Sequence, residues 1–177
     1  MIEKIKNNLF LVATIFGVFA VCTIFLPAIS FDVKEVIGKY AEGLMVGISG
    51  VDACFGLELA GEEVLEFSFM GLLAYIAPVA GVAFLFYAEK NQEKKFVQYA
   101  FLAFAVGAIL FFLMPSLLQY ADKTSAEEVE EFIKLGVGAI FGAVACAVSA
   151  LCVLGELQNN PKAQQIAQET QQNTQEA

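Results

Sequence analysis

The sequence predicts an all-α membrane protein: a four-helix transmembrane bundle with a small mixed α/β lobe on its outer side. Three observations lead to this fold class. The 177-residue chain is 58% hydrophobic and only 16% charged, whereas a soluble domain carries about 25% charge. Four apolar runs, at residues 9–29, 67–88, 96–120 and 132–155, are each long enough as a helix to cross the roughly 30 Å core of a bilayer. The helices of a soluble all-helical core would be shorter and more amphipathic.

The last run carries small residues at four-residue spacing. Residues 135–155 include no charge, and one face of the predicted helix holds Gly138, Gly142, Cys146 and Ala150. Small residues let a second helix backbone approach closely, which favours helix association in lipid. We therefore predict a helix-packing face, used either inside the monomer or for self-association.

The first run follows a short basic start and ends close to the small residues Ala28 and Ser30. Cleaved signal peptides share this order, but their apolar region is usually about 7 to 15 residues long. We interpret residues 9–29 as an uncleaved first helix. Pro27 lies near its outer end, where the loss of one backbone hydrogen bond is tolerated.

The second and third runs are joined by a short polar turn at residues 89–95, so the two helices are expected to be antiparallel. Pro78 lies in the middle of the second run and predicts a helix kink. The alternative is a broken helix around a transported substrate, with Tyr75, Gly81 and Gln98 nearby. Because no charge interrupts the middle of any run, the kink is preferred.

Residues 31–66 are the one sizeable polar segment and are predicted to form the outer lobe. Apolar residues at helical spacing predict a short amphipathic helix over residues 32–41. The alternation through residues 44–48 predicts a strand, and the turn signal Ser49-Gly50 predicts a hairpin that returns through residues 51–55. Cys54 either links two chains or is a small buried residue beneath Phe55 and Leu57.

Acidic residues are concentrated in the two predicted outer segments. The candidate acidic patch consists of Glu62, Glu63, Glu127, Glu128, Glu130 and Glu131. Carboxylates suit Ca²⁺ or Mg²⁺, but the spacing of a calcium loop is absent. A solvated acidic face is therefore the preferred interpretation.

The segment that precedes the fourth run matches a capping box at Ser125 to Glu128, so we expect the fourth helix to start near Ala126, above the membrane. After the fourth run, residues 156–177 are polar, contain seven glutamines and show no apolar period. This composition predicts a disordered tail.

Lysine placement predicts the threading. The start, the 89–95 turn and the tail hold six lysines, three of them in the turn, and the two longer loops hold the other four. Lysine-rich short segments stay on the cytoplasmic side. Both termini are therefore expected in the cytoplasm of a multi-pass cell-membrane protein.

The sequence contains signs of an internal repeat. Phe25 and Pro27 end the first run much as Phe112 and Pro115 end the third. The second and fourth runs begin alike at a constant offset of 65 residues, in the pairs Glu66–Glu131, Phe67–Phe132, Gly71–Gly136 and Ala74–Ala139. Two related helical hairpins would produce this pattern, although chance recurrence of Gly, Ala and Phe also would.

These features together resemble small uncharacterised four-helix membrane proteins of bacteria. The resemblance rests on four helices with cytoplasmic ends, on residues 49–56 (SGVDACFG) in a larger first outer loop, and on residues 66–71 (EFSFMG) opening the second helix. The layout is also similar to claudin-like and tetraspan proteins. Their outer-loop tryptophan and cysteine pair are missing, so their function is not carried over.

The composition argues against several functions. The chain lacks histidine and arginine and has a net charge of −9, which is unfavourable for nucleic-acid binding. No aspartate lies within a run, and no nucleophile is paired with a base, so an enzyme is not expected. Cysteines at metal-ligand spacing are also absent, and neither a metal nor a cofactor is predicted.

We expect a non-enzymatic integral membrane protein that acts through protein contacts, as an accessory or scaffolding subunit. The alternative is a small oligomeric transporter or channel. A polar residue lining a water-filled cavity would favour that alternative, and a dry, tightly packed bundle would count against it. A third hypothesis is a sensor of a cation or soluble ligand that uses the outer lobe.

Overall fold

The computed structural model describes residues 2–32, 45–59, 62–91, 93–120 and 133–158. In chain order the elements are α1 (Ile2–Cys22), β1 (Pro27–Asp32), β2 (Met45–Ser49), α2 (Gly50–Phe55), β3 (Leu57–Leu59), β4 (Glu62–Glu66), α3 (Phe69–Asn91), α4 (Lys94–Phe112), α5 (Met114–Leu117), β5 (Gln119–Tyr120), β6 (Ile133–Leu135) and α6 (Val137–Gln158). A 3-10 turn at Thr23–Phe25 follows α1.

Three of these helices, α3, α4 and α6, are long and apolar enough to cross a membrane. In α1 the corresponding apolar stretch is shorter, at Leu9–Phe25. The predicted fold class is confirmed in its coarser part, because the described chain is mostly helical and combines three long apolar helices with small sheets.

The long helices form a bundle in which each packs mainly against two others, in the order α1, α3, α4, α6 and back to α1. Ring contacts show the direction of α3 against α4. Tyr87 and Phe96 are 5.8 Å apart between ring centroids, and Tyr75 and Phe111 are 4.8 Å apart. Residue numbers fall along α3 as they rise along α4, so the two helices are antiparallel.

Close contacts give the directions of the remaining pairs. Along α4 and α6, a β-carbon on Gly107 would lie 3.3 Å from Cys146 Sγ, and a β-carbon on Gly142 would lie 2.8 Å from the Phe111 ring. Between α1 and α6, the Ser149 hydroxyl donates to the Ala13 carbonyl at 3.0 Å. The helices therefore alternate in direction around the bundle.

Two small antiparallel sheets lie at the end of the bundle where α3 and α6 begin. In the first sheet β1 is central, and Ile29 is opposite both Ile48 of β2 and Leu135 of β6. In the second sheet β4 is central, between β3 and β5. Each sheet thus joins strands from the segment before α3 to a strand from the segment before α6.

The two halves of the chain are arranged alike. The order helix, helical turn, strand, strand, helix occurs in α1 to α3, with insertions, and again in α4 to α6. The first strand of each half pairs with the last strand of the other: β1 with β6, and β5 with β4. This cross-pairing is what an approximate two-fold axis between two related hairpins would produce.

Prolines end two helices earlier than the sequence analysis expected. The first helix was expected to reach residue 29, but α1 ends at Cys22 and Pro27–Asp32 is a strand. Leu26 is already extended, with ψ 160°, because a residue before proline avoids the helical region. The third helix was expected to reach residue 120, but α4 ends at Phe112 and Pro115 lies in the separate α5.

The second and fourth helices also differ from the expected bounds. The second was expected at 67–88 and is shifted to Phe69–Asn91. The fourth was expected to begin by residue 132, near Ala126, but Ile133–Leu135 is a strand and α6 begins at Val137. Gly136 N–H donates to the Ala28 carbonyl at 2.8 Å, so the tie to β1 fixes this strand-to-helix junction.

In the outer lobe the predicted strand through residues 44–48 corresponds to β2, but the predicted hairpin is wrong. Residues 51–55 belong to the helix α2, and the partner of β2 is β1. Of the amphipathic helix predicted over residues 32–41, only Asp32 is described, and it lies in β1. The remainder of that prediction, and the tail from residue 159, lie outside the described residues.

The interior of the bundle is packed by rings against glycines. A β-carbon on Gly81 would lie 2.8 Å from the Phe104 ring, and one on Gly17 would lie 2.9 Å from the same ring. The buried polar residues within the described chain are Thr23, Ser68 and Ser149, and each hydroxyl donates to a backbone carbonyl.

The contact between Gly142 and Phe111 provides a test of this packing. Gly142→Ala should lower the free energy of unfolding by about 1–3 kcal/mol, because a β-carbon would meet a rigid ring. Gly155→Ala is the matched control, since its β-carbon would meet only Leu9 Cδ1, at 3.7 Å. Thermal unfolding in mild detergent measures both variants, and equal melting temperatures would contradict the packing described.

Candidate functional site at the lobe end of the bundle

The short helix α2 is the central element of the candidate site, and local sequence sets its bounds. Ser49 is its N-cap, and the Ser49 hydroxyl accepts a hydrogen bond from Asp52 N–H at 3.2 Å and donates to Asp52 Oδ2 at 2.7 Å. Gly56 ends the helix with a φ of +100°, a value that glycine adopts without strain. The Ser-x-x-Asp spacing is a capping signal that the hairpin prediction overlooked.

Helix α2 is inserted between the 3-10 turn that follows α1 and the start of α3. Ala53 and Cys54 are fully buried. The Gly50 N–H donates to the Leu26 carbonyl at 3.1 Å, and the Ser68 N–H donates to the Cys54 carbonyl at 3.0 Å. The lobe is therefore attached to the bundle through backbone bonds at both ends of α2, and we call this contact the lobe–bundle junction.

Ser68 connects the junction to the other half of the chain. Its hydroxyl donates to the Leu117 carbonyl at 2.7 Å and accepts from the Gly71 N–H at 3.0 Å. The first bond satisfies a carbonyl at the end of α5, and the second satisfies an N–H in the first turn of α3, where helical partners are missing. One side chain thus holds the start of α3 against the end of α5.

Tyr75 extends from α3 to the underside of α2. It is only 3% exposed, and its ring meets Phe111 edge-on at 4.8 Å. A β-carbon on Gly50 would collide with the Tyr75 hydroxyl and would lie 2.8 Å from the Ile24 carbonyl. Among the described residues this hydroxyl is the one buried side-chain nitrogen or oxygen without a hydrogen-bond partner, a state that costs stability.

The thiol of Cys54 is chemically quiet. Burial raises its pKa from the ordinary value of 9.0 to about 11, so the thiol stays protonated at neutral pH and is neither a nucleophile nor a metal ligand there. The side chain is buried, as one of the two interpretations predicted. Phe55, which was expected to cover it, is instead 58% exposed.

The structure places the predicted small face of the fourth helix inside the chain. Gly138 packs on Leu26, Gly142 packs on Phe111, and Cys146 lies beside Gly107. Cys146 is fully buried, and Ala150 is also buried. The face is therefore occupied by α4 and by the segment after α1.

The residues of the suggested transport path do not converge. Pro78 is buried within α3 and packs near Gly107 of α4, where a β-carbon would lie 3.3 Å from Pro78 Cδ. Tyr75 is buried near the lobe, whereas Gln98 is exposed near the opposite end of the bundle. The described residues bring no polar cluster into the middle of the bundle.

The candidate acidic patch falls largely on residues that the structure does not describe. Four of its members lie outside the described ranges: Glu127, Glu128, Glu130 and Glu131. The other two, Glu62 and Glu63, belong to β4, where the structure describes their backbone and not their side chains. Within the described ranges, no three His, Cys, Asp or Glu residues come together in a way that could hold a metal ion.

Sequence reasoning missed the exposed aromatic residues at both ends of the bundle. At the end that carries the lobe, Phe55 and Phe67 contact each other with ring centroids 6.2 Å apart, and both are exposed. At the opposite end Tyr87 and Tyr99 are exposed beside the lysines of the 89–95 turn. Aromatic residues at the two ends of apolar helices are typical of membrane interfaces.

The comparisons with known proteins supply no relative: neither a protein-family model nor a curated protein matches the chain. The class that the fold itself defines is an apolar helical bundle with a folded lobe fixed to one end.

Tyr75 and Gly50 provide a test of the junction. Tyr75→Phe removes a hydroxyl that has no partner, so the free energy of unfolding should stay unchanged or rise by up to about 1 kcal/mol. Gly50→Ala should lower it by about 1–3 kcal/mol, because the methyl group meets the Tyr75 hydroxyl. Both values come from thermal unfolding in detergent. A clear loss of stability in Tyr75→Phe would show that the hydroxyl is paired.

Burial of Cys54 predicts a pH dependence. The folded protein keeps the thiol proton up to about pH 11, whereas the unfolded chain loses it near pH 9. The contribution of the buried thiol to the free energy of unfolding is therefore complete below pH 9 and decreases as the pH rises toward 11. Cys54→Ala should reduce this fall between pH 8.5 and 10.5 in melting experiments, and a slope identical to wild type would contradict the burial.

Maleimide should also label the exposed Cys22 well before Cys54.

Proposed function

We propose that the chain is a multi-pass membrane protein with four spanning helices and cytoplasmic termini, and that it acts as a non-enzymatic accessory or scaffolding subunit. In this proposal the helices anchor the outer lobe, and the lobe contacts another membrane protein. Neither a cofactor nor a nucleic acid is part of this function.

The dimensions of the bundle support the membrane part of the proposal. From Phe69 to Tyr87, α3 rises about 27 Å at about 1.5 Å per residue, close to the roughly 30 Å apolar thickness of a bilayer. Exposed apolar side chains occur along the helices between these ends, including Ile76 and Val79 of α3 and Val144 and Leu151 of α6. Such side chains are favourable in lipid and unfavourable in water.

The observation that carries the functional part is the tightly packed, apolar interior. Phe104 fills the space between Gly17 and Gly81, and Phe111 packs on Gly142. The buried hydroxyls of Thr23, Ser68 and Ser149 donate to backbone carbonyls of the protein itself, and the Tyr75 hydroxyl is enclosed between Gly50 and the Ile24 carbonyl. This packing supports a structural role more than the transporter or channel alternative, which needs polar groups along a cavity.

The exposed pair Phe55 and Phe67 is the part of the lobe best suited to a protein contact. Both rings lie next to the junction, where α2 is held by the Gly50 and Ser68 backbone bonds, so a partner would meet them already ordered. Exposed aromatic side chains on a rigid support are the typical anchors of protein interfaces.

Purification from native membranes in a mild detergent tests this proposal. A different protein should be recovered with the chain at a fixed ratio, and Phe55→Ser with Phe67→Ser should reduce that recovery about tenfold. Tyr87→Ser is the matched control, since Tyr87 is 59% exposed at the opposite end, and it should retain the partner. Recovery of the chain alone, or only with itself, would overturn the proposal.

A further inference from the structure

A groove on the lipid-facing side of the bundle runs between α3 and α4. Its lining is entirely apolar, and its volume is about 310 Å³, near the lower end of the range for small-molecule sites. Among its lining residues are Leu73, Ala77 and Phe84 of α3 and Tyr99, Ala103 and Val106 of α4. From Leu73 to Phe84 the groove follows α3 for about 16 Å.

The chemistry of the groove changes at the end near the 89–95 turn. The rings of Phe84 and Tyr99, 5.8 Å apart between centroids, lie at this end. Tyr99 is half exposed, so its hydroxyl is within reach of the membrane surface. Lys95 lies one turn beyond Tyr99 on the same face of α4, is exposed, and has no ion pair among the described residues. An apolar groove thus leads to a hydroxyl and a free positive charge.

The start of α4 adds to this positive end. Glu93 is the N-cap residue, but its side chain makes no capping hydrogen bond. The Phe96 N–H donates to the Glu93 carbonyl at 3.3 Å, which leaves the Lys94 and Lys95 N–H groups of the first turn for an anion. The nearest acidic residue of α3, Glu89, is five residues beyond Phe84 and is turned by about 140° from the groove face. An anion at Lys95 therefore meets little opposing charge from α3, and the opposing carboxylate at the start of α4 is that of Glu93, two residues before Lys95.

We propose that the α3–α4 groove binds one acyl chain of an anionic phospholipid of the inner leaflet, with the lipid phosphate at Lys95, Tyr99 and the first turn of α4. The apolar lining matches the acyl chain, and the lysine end matches the anionic headgroup. This inference depends on the membrane threading of the proposed function, not on its protein partner.

Native mass spectrometry of the full chain in mild detergent tests the site, with equimolar phosphatidylglycerol and phosphatidylcholine of the same acyl chains. Wild type should retain phosphatidylglycerol in preference. Lys95→Gln should lower the preference about fivefold, equivalent to about 1 kcal/mol. Lys94→Gln is the matched control, because Lys94 is turned by about 100° around the helix, and it should change the preference less than twofold. Equal effects of the two variants would overturn the site.

Two further experiments test whether the lipid is bound by the apolar groove or only by the charge at Lys95. Ala103→Phe fills the groove and should reduce retention of both lipids while the melting temperature in detergent stays within a few degrees of wild type. Unchanged retention in this variant, or displacement of phosphatidylglycerol by excess inorganic phosphate, would show that only the headgroup is bound and would overturn the groove assignment.

The outcome is distinguishable from failure of the proposed function. A lipid preference without a co-purified protein would remove the accessory role and keep the site, and a co-purified protein without a lipid preference would do the reverse.

Threading is checked by a membrane-impermeant maleimide on intact cells, in a Cys22→Ala background. Glu58→Cys should be labelled and Glu93→Cys should not. Labelling of Glu93→Cys alone would place the groove end in the outer leaflet and overturn the inner-leaflet assignment.

Discussion

The close approach of two phenylalanine rings to glycines on neighbouring helices determines the geometry of the bundle. Phe104 of α4 packs against Gly17 of α1 and Gly81 of α3, and Phe111 of the same helix packs against Gly142 of α6. In the proposed membrane setting lipid provides no hydrophobic drive between helices, and this kind of packing is what holds them together. Through these two rings, helix α4 contacts all three of the other long helices. A substitution at Phe104 would therefore affect α1 and α3, and one at Phe111 would affect α3 and α6.

The lobe depends on the same helix ends. Tyr75 of α3 packs against Phe111 of α4 through its ring and against Gly50 of α2 through its hydroxyl. The position of α2 therefore depends on the ring packing in the bundle. Ser68 and Gly136 then fix the starts of α3 and α6 to carbonyls of the opposite half, at Leu117 and Ala28. These ties explain how a small lobe is held rigidly at the end of an apolar bundle.

Much of the helical architecture could be read from the sequence, because uncharged runs and small-residue spacing are local properties. The strands at Pro27–Asp32 and Ile133–Leu135 could not, since each is stabilised by a partner far away in the chain. Pro27 was interpreted as tolerated near a helix end, but α1 ends before it and Pro27 begins β1. The third run was expected to continue past Pro115 to residue 120, but Pro115 lies in the separate α5. At the site, burial of Cys54 was one of two interpretations that the sequence left open, and the Tyr75–Gly50 contact depends on tertiary packing that no spacing shows.

The pairing of β1 with β6 has a consequence for biosynthesis. Ile29 is made early and Leu135 late, so one edge of β1 has no partner until nearly all of the helical segments have left the ribosome. An unpaired strand edge is prone to associate with other chains. A chain truncated before residue 133 would therefore lack β6 and would keep this edge of β1 open.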